Sequence, residues 1–313
     1  MFAYLVRRVL STIPVMGVVA LAVFSLLYIA PGDPAAIIAG DQASPADVER
    51  IRISLGLDRP FLVRFGDWLW HVVHGDLGTS IFTNLPVTHM IAQRIQPTVS
   101  LLVITLVISL VFAIPLGVVA AWKQGSWIDR FAMVISTLGF SVPVFVVGYV
   151  LAYVFALQLD WVPVQGYTPI QEGVWPWFLN LILPAVALGM IYMALIARIT
   201  RATMLEVLSQ DYVRTARAKG VGQRQILFVH ALRNAAVPII TIVGIGFASL
   251  IGGAVVTESV FAIPGLGRLT VDAILRRDYP VIQGVVLMFS FVYVLVNLAV
   301  DLLYTLFDPR IRY

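Results

Sequence analysis

The lysines are the first residues to test for chemistry, because a nucleotide-hydrolysing P-loop requires one. Such a loop needs glycines whose amides cradle phosphates, followed by a Lys-Ser/Thr pair. The chain contains two lysines, Lys123, which precedes Gln124, and Lys219, which precedes Gly220. Neither fits the motif, so the sequence predicts that this chain is not an ATP-hydrolysing enzyme.

The remaining ionisable residues offer little chemistry of their own. Zero cysteines exclude disulfides, thiolate metal sites and cysteine catalysis. His71 and His74 stand three residues apart without a third ligand nearby, so we predict no metal site and no cofactor. Glu258 and Asp301 lie toward the ends of apolar stretches, where we expect water or lipid headgroups to reach them. Capping or pairing with arginine is therefore favoured over proton relay, and an ion-coupled secondary transporter, which needs buried ionisable groups or inverted repeats, is the less favoured alternative.

A basic segment, residues 201–234, carries the most informative pattern. Asp211 fits an N-cap, arginine and lysine suit the last turn, and Gly220 is a typical helix stop. A second helix is predicted over residues 223–232, which gives a helix–turn–helix elbow. Its alanines permit close approach by a partner, and its arginines can bind carboxylates bidentately. The alternative is that these basic residues only fix the orientation of the chain in the membrane and bind no partner.

The composition indicates an integral membrane protein. The chain is 60% hydrophobic and 12% charged, too little charge to cover a soluble protein of 313 residues. Six apolar stretches are long enough to cross the hydrocarbon core, namely residues 9–30, 98–122, 131–157, 178–199, 235–257 and 281–307. Internal prolines in these stretches are either ordinary irregularities or hinges (Pro14, Pro115, Pro143, Pro184 and Pro238). We expect one all-α transmembrane domain over residues 1–313.

The basic residues indicate the orientation. Placing both termini in the cytoplasm puts most of the arginines and lysines, including those of residues 201–234, on that side. Residues 31–97 then form an extracytoplasmic segment, with a turn at Pro31-Gly32-Asp33-Pro34 and a short helix begun by Ser44-Pro45 and ended by Gly56. In this segment Phe61, Phe65, Trp68 and Trp70 suit a membrane interface.

Small residues in the fifth apolar stretch permit tight helix packing in lipid. The same stretch is a candidate wall for a transport path. The candidate path-lining residues are Gly246, Gly252, Gly253 and Glu258.

The ordered motifs along the chain resemble those of the dipeptide/oligopeptide/nickel branch of ABC importer permeases, specifically the DppB/OppB-type subunit. The basic segment reads Asp-Tyr-Val-Arg-Thr-Ala-Arg-Ala-Lys-Gly over residues 211–220, then His-Ala-Leu-Arg-Asn over residues 230–234. Aligned on Gly220, only Ala216 keeps the general Glu-Ala-Ala pattern, and Arg233 replaces its later proline. Further matches are residues 31–34, 55–60, 75–78, 264–268, 277–283 and 308–313.

This resemblance implies a type I ABC importer permease (MetI-like) fold with six spans in a bacterial inner membrane. It implies a second, DppC/OppC-type permease and two DppD/DppF-type ATPase subunits, which would bind the ATP and Mg²⁺. It also implies an extracytoplasmic substrate-binding protein and no nucleic acid. The imported substrates would be di- or oligopeptides, with glutathione or a nickel complex as alternatives. The implied ATPase-coupling residues are Asp211, Tyr212, Arg214, Thr215, Ala216, Arg217, Ala218, Lys219, Gly220, Arg233 and Asn234.

Overall fold

The fold was examined in a computed structural model that describes residues 2–29, 33–39, 44–54 and 56–307. Across these residues the chain is helical, apart from turns and one isolated β-bridge between Thr79 and Pro86. The all-α fold class is confirmed. The predicted turn at Pro31-Gly32, the apolar position Leu55 and the terminal motif of residues 308–313 lie outside the described residues.

The helices follow the apolar stretches and the connections between them. They are α1 (Phe2–Ile29), α2 (Pro34–Ala39), α3 (Pro45–Ser54), α4 (Phe61–Val73), α5 (Val87–Trp122), α6 (Trp127–Ser141), α7 (Val144–Gln158, π-helical from Ala152), α8 (Val174–Leu208), α9 (Asp211–Ala218), α10 (Gln223–Asn234, π-helical over Ile226–Ala231), α11 (Ala236–Val260), α12 (Leu266–Arg276) and α13 (Tyr279–Phe307).

Length and composition identify four helices in the described part of the chain that can each cross a membrane: α1, α5, α8 and α13. The other two predicted spans fall on pairs of helices bent at a short break, α6 with α7 at 105° and α10 with α11 at 62°. The number of spans is four, or up to six when each bent pair is counted as one span.

The predicted span over residues 131–157 is therefore not a straight helix. Its break lies at Val142 and Pro143, where Val142 has an extended backbone with ψ 125°. Proline disfavours a helical conformation in the preceding residue and lacks the amide that would continue the helix. By contrast, Pro14, Pro115 and Pro184 lie inside continuous helices. Of these four prolines, only Pro143 coincides with a sharp bend.

Two helices extend well beyond the apolar stretches that predicted them. Helix α5 begins at Val87 rather than at residue 98, and α8 continues through Arg201 to Leu208. At about 1.5 Å per residue, the 35 residues of α8 span about 52 Å, whereas the hydrocarbon core is about 30 Å thick. The first part of the basic segment is thus the end of a membrane helix, which projects past the bilayer.

The chain divides into two compact units. One comprises residues 95–268 and 295–313, and in it α8 packs against α6, α7 and α11. Glycine permits the closest of these approaches: a Cβ added at Gly246 on α11 would lie 2.1 Å from the Tyr192 ring of α8. Because lipid gives helices no hydrophobic reason to associate, such close packing carries much of their stability.

The other unit comprises residues 1–94 and 269–294. Ser44 caps α3 as predicted, since its Oγ accepts a hydrogen bond from the Asp47 amide at 3.2 Å. Gly56, with φ +61°, follows the end of that helix. Three of the four predicted interface aromatics, Phe61, Phe65 and Trp68, surround the ring of Phe24 on α1, whereas Trp70 is exposed.

Candidate functional site

Helix α9 ends in a turn that only glycine adopts easily. Gly220 has φ +80°, and its amide donates to the Arg217 carbonyl at 3.0 Å while the Val221 amide donates to the Ala216 carbonyl at 3.1 Å. These two bonds form a Schellman motif, which satisfies carbonyls at the helix end. The predicted stop at Gly220 is confirmed.

The start of α9 differs from the prediction. Gln210 occupies the N-cap position, without a side-chain cap, and Asp211 is the first helical residue. The assignment of Asp211 as N-cap is therefore wrong by one position. Its carboxylate still lies in the first turn, where it interacts favourably with the helix dipole, and it accepts a hydrogen bond from Arg214 Nη1 at 3.4 Å.

The second arm of the elbow is α10, which extends two residues beyond the predicted end at residue 232. The arms are joined by a hydrogen bond of 2.7 Å from Asn234 Nδ2 to the Tyr212 hydroxyl. Val213 on α9 is completely buried, as are Ile226 and Leu227 on α10 to within a few per cent. The two arms therefore form one packed unit rather than two independent segments.

The outer surface of α9 is exposed and basic. Arg214, Arg217, Ala218, Lys219 and Gly220 are exposed. Thr215 is also exposed, Ala216 is half-buried, and Arg233 lies exposed at the end of α10. An exposed face of arginines around a small alanine surface fits a partner that presents carboxylates, because guanidinium groups bind carboxylates through two parallel hydrogen bonds.

A buried ion pair near the elbow was missed by sequence reasoning. Arg201 on α8 binds Asp129 at the start of α6 through Nε at 2.5 Å and Nη2 at 2.8 Å. The same carboxylate accepts the Gly125 amide at 3.0 Å. Asp129 follows the Gly125-Ser126 turn, and Ser126 caps α6, so a capping signal was present. Nothing in the sequence points to Arg201 as its partner.

The candidate path-lining glycines have different surroundings. Gly246 packs against Tyr192, and a Cβ at Gly253 would lie 2.5 Å from Leu188 Cδ1, so both permit α11 to approach α8 closely. Gly252 is exposed, and a Cβ added there would have no atom of the other described elements within 4 Å. An apolar cavity of about 160 Å³ lies between these elements, with Gly246 and Gly253 in its lining.

Glu258 is completely buried, so the expectation that water or headgroups reach it is wrong for this subunit. Its Oε1 accepts the Thr98 hydroxyl at 2.6 Å and its Oε2 accepts the Arg268 amide at 3.0 Å. Thr98 Oγ1 in turn accepts the Leu266 amide at 2.8 Å. The carboxylate thus caps the amino end of α12, as the favoured structural reading predicted.

Comparison with known proteins identifies the family. Residues 113–313 match the model for the inner membrane component of binding-protein-dependent transport systems, and residues 1–102 match the N-terminal model of such membrane components. The chain belongs to this family. It is therefore an ABC transporter permease, a multi-pass inner membrane subunit whose ATPase and binding protein are separate partners.

Individual relatives are similar in sequence to this permease along its whole length. It is 55% identical to the probable peptide ABC transporter permease protein y4tP of Sinorhizobium fredii, over all of both chains. It is 42% identical to the glutathione transport system permease protein GsiC of Escherichia coli O6:H1, again over all of both chains. An inward-facing structure of the MetNI methionine ABC transporter matches 70% of this chain and 96% of that one, with 17% identity and a TM-score of 0.59. This last similarity confirms the MetI-type fold.

Proposed function

We propose that this permease is one of two different permeases of a peptide importer and that ATPase subunits drive it through the elbow of α9 and α10. The observation that carries the proposal is the exposed basic end of α9, held in place by the Tyr212–Asn234 hydrogen bond. A docking element must present its contact residues on a rigid support, because ordering a flexible loop would weaken binding.

The proposed contact has three components. Arg214 and Arg217 bind carboxylates of the ATPase, Ala216 and Ala218 allow close approach, and Gly220 supplies the turn after the helix. Within the described part of the chain, no atom beyond the neighbouring residues lies within 4 Å of a Cβ added at Gly220, so the space beyond this turn is open for a partner.

The substrates proposed are di- and oligopeptides. The relative y4tP is named as a peptide transporter permease. Glutathione is the second candidate because GsiC is also similar over its full length. A nickel complex is less favoured, since the chain has only four histidines. We propose the orientation with both termini in the cytoplasm, and Gly252 as the residue of α11 that faces the path or the second permease.

The test is uptake into vesicles that contain the complete transporter, with its binding protein outside and ATP inside. Gly220→Leu forces a side chain into a left-handed turn at a cost of about 1–2 kcal/mol. We expect normal membrane insertion, lost co-purification of the ATPases and lost uptake. Gly75→Leu is the matched control, because Gly75 has φ +83° and equally open surroundings in the segment proposed to be extracytoplasmic. We expect Gly75→Leu to retain ATPase binding and uptake.

Labelled dipeptide, oligopeptide and glutathione are compared in the same vesicles. Uptake of the peptides by the wild-type transporter supports the proposed substrates. Uptake of glutathione alone would assign glutathione as the substrate instead. Unchanged uptake by Gly220→Leu would overturn the role of the elbow. ATP-stimulated uptake by this chain alone would overturn its dependence on separate ATPases.

A further inference from the structure

The apolar cavity of about 160 Å³ lies where α6, α7, α8 and α11 meet, in the unit formed by residues 95–268 and 295–313. Phe140 and Val144, which stand on the two sides of the break at Pro143, form one of its walls. An apolar cavity of about 150 Å³ accommodates a molecule the size of benzene. This cavity is therefore large enough for a leucine or phenylalanine side chain.

A single arginine stands at the edge of this cavity. Arg198 lies one turn after Leu195, which lines the cavity, and its guanidinium carbon Cζ is 4.9 Å from the centre of the Phe140 ring. The Arg198 side chain is exposed, and within the described part of the chain it forms no ion pair and no hydrogen bond. By contrast, the next arginine of α8, Arg201, is bound to Asp129. The donors of the Arg198 guanidinium are thus available to a ligand.

The Arg198 guanidinium lies inside the apolar stretch of α8 rather than at its end. A Cβ added at Gly139 would lie 3.2 Å from the Met190 carbonyl oxygen, so this part of α6 packs beside α8 about two turns before Arg198. To reach the Phe140 ring, the Arg198 side chain extends back along α8. It therefore extends away from the end of α8 that leads into the elbow, and away from the nearest lipid headgroups.

An arginine at this level of the membrane needs water or an anionic partner. Charged side chains at the level of the hydrocarbon almost always face a bundle interior or a water-filled cavity, where they mark substrate pathways. An arginine that only avoids lipid extends towards the headgroups, which Arg198 does not do. A phospholipid headgroup is a poor partner because it stays at the membrane boundary. These observations favour an anionic ligand that enters the transport path.

We propose that Arg198 and the adjoining cavity bind the carboxyl-terminal end of the transported peptide, an inference that rests on the proposed function. The terminal carboxylate accepts two parallel hydrogen bonds from the Arg198 guanidinium. The last side chain of the peptide occupies the apolar cavity beside it. The Phe140 ring holds the guanidinium at the edge of the cavity through a cation–π contact. The site therefore selects peptides that have a free carboxyl terminus and an apolar last residue.

The test compares alanyl-leucine with its carboxyl-terminal amide, alanyl-leucinamide, in vesicles that contain the complete transporter. Both are supplied at concentrations that saturate the binding protein, so that the permease step is measured. We expect the wild type to import the amide about tenfold more slowly. Arg198→Gln should slow uptake of alanyl-leucine by a similar factor and leave uptake of the amide unchanged. Arg198→Lys keeps the charge and should restore part of the uptake.

The matched control is Arg130→Gln, which removes an exposed arginine of α6 that does not line the cavity. We expect this variant to import both dipeptides as the wild type does. Leu195→Phe reduces the cavity volume, so uptake of alanyl-leucine should fall while uptake of alanyl-glycine, which has no last side chain, is retained. Melting temperatures and co-purification of the ATPases check that each variant folds and assembles.

Four results would overturn the proposal. An equal proportional loss of both dipeptides in Arg198→Gln would assign Arg198 to the protein itself, and weaker co-purification of the second permease would identify the contact. Wild-type uptake that depends on phosphatidylglycerol, with this dependence lost in Arg198→Gln, would assign Arg198 to lipid. Unchanged uptake of alanyl-leucine by Arg198→Gln would overturn this site and leave the proposed peptide importer intact. Uptake of no peptide by the wild type would overturn the proposed function itself.

Discussion

At the residue scale, Glu258 is a buried carboxylate whose environment is built from backbone as much as from side chains. Cβ atoms added at Gly265 and Gly267 would lie 2.2 Å and 2.9 Å from its carboxylate oxygens. The two glycines therefore allow the loop before α12 to fold around the charge. A carboxylate that accepts several hydrogen bonds in a buried site stabilises the structure around it, and here that structure is the junction of α5, α11 and α12.

We predict that Glu258→Ala destabilises the protein by about 2–4 kcal/mol, because it leaves the Thr98 hydroxyl and the Arg268 amide without their acceptor. Thermal unfolding of the purified chain in detergent measures the effect. Glu172→Ala removes an exposed carboxylate and should change stability by less than about 0.5 kcal/mol. Equal stability of the two variants would contradict the capping role.

The sequence predicted that Glu258 caps or pairs, but it could not supply the partner. Thr98 lies 160 residues away in the chain, and no local pattern links the two positions. The same applies to Asp129 and Arg201, separated by 72 residues. Gly220 was predictable because the conformation that requires glycine is set by the residues directly before and after it.

At the element scale, the Asp129–Arg201 pair joins the turn before α6 to the part of α8 that leads into the elbow. The Asp129 side chain is 6% exposed and that of Arg201 is 24% exposed. Arg198, one turn earlier on α8, lies 4.9 Å from the ring centre of Phe140 on α6. The two arginines therefore fix α6 and α8 side by side.

We predict that Asp129→Ala destabilises the protein by about 3–5 kcal/mol, because it leaves the guanidinium of Arg201 partly buried without its carboxylate. Asp211→Ala is the matched control, since Asp211 pairs with Arg214 at 3.4 Å with both side chains largely exposed. An exposed pair contributes at most about 1 kcal/mol. Thermal unfolding of both variants measures the loss of stability. A loss of similar size in each would contradict the stronger contribution of the buried pair.

Hydropathy located the membrane helices but not their ends. It responds to apolar residues, so the polar and basic continuation of α8 to Leu208 and the start of α5 at Val87 were assigned to connections. The break at Pro143 was foreseen as either an irregularity or a hinge. The structure shows that this proline, unlike Pro115 or Pro184, lies at a break where α6 and α7 meet at 105°.

At the scale of the whole molecule, the absence of cysteine allows a direct test of the proposed orientation. Thr88→Cys and Ser209→Cys each introduce one thiol at an exposed position. With both termini in the cytoplasm, a membrane-impermeant maleimide should label position 88 in intact spheroplasts. Position 209 should be labelled only after permeabilisation. The reverse pattern would contradict the orientation, and the cysteine-free parent is the control for unspecific labelling.

The division into two compact units could not be predicted from the sequence, which suggested one domain of consecutive spans. Residues 269–294 belong to the same unit as residues 1–94, although more than 170 residues separate them in the chain. The placement of charges and the length of an apolar stretch each describe a single span or connection of the chain. The association of residues 1–94 with residues 269–294 depends on contacts that neither measure contains.

The hydrogen bond between Tyr212 and Asn234 bears on how the elbow could transmit motion. Asn234 lies two residues before α11 begins, and Tyr212 lies four residues after α8 ends, so the hydrogen bond closes the elbow across its open end. In the coupling proposed above, a displacement at Arg217 would reach α8 and α11 together, because the two packed arms would move as one body.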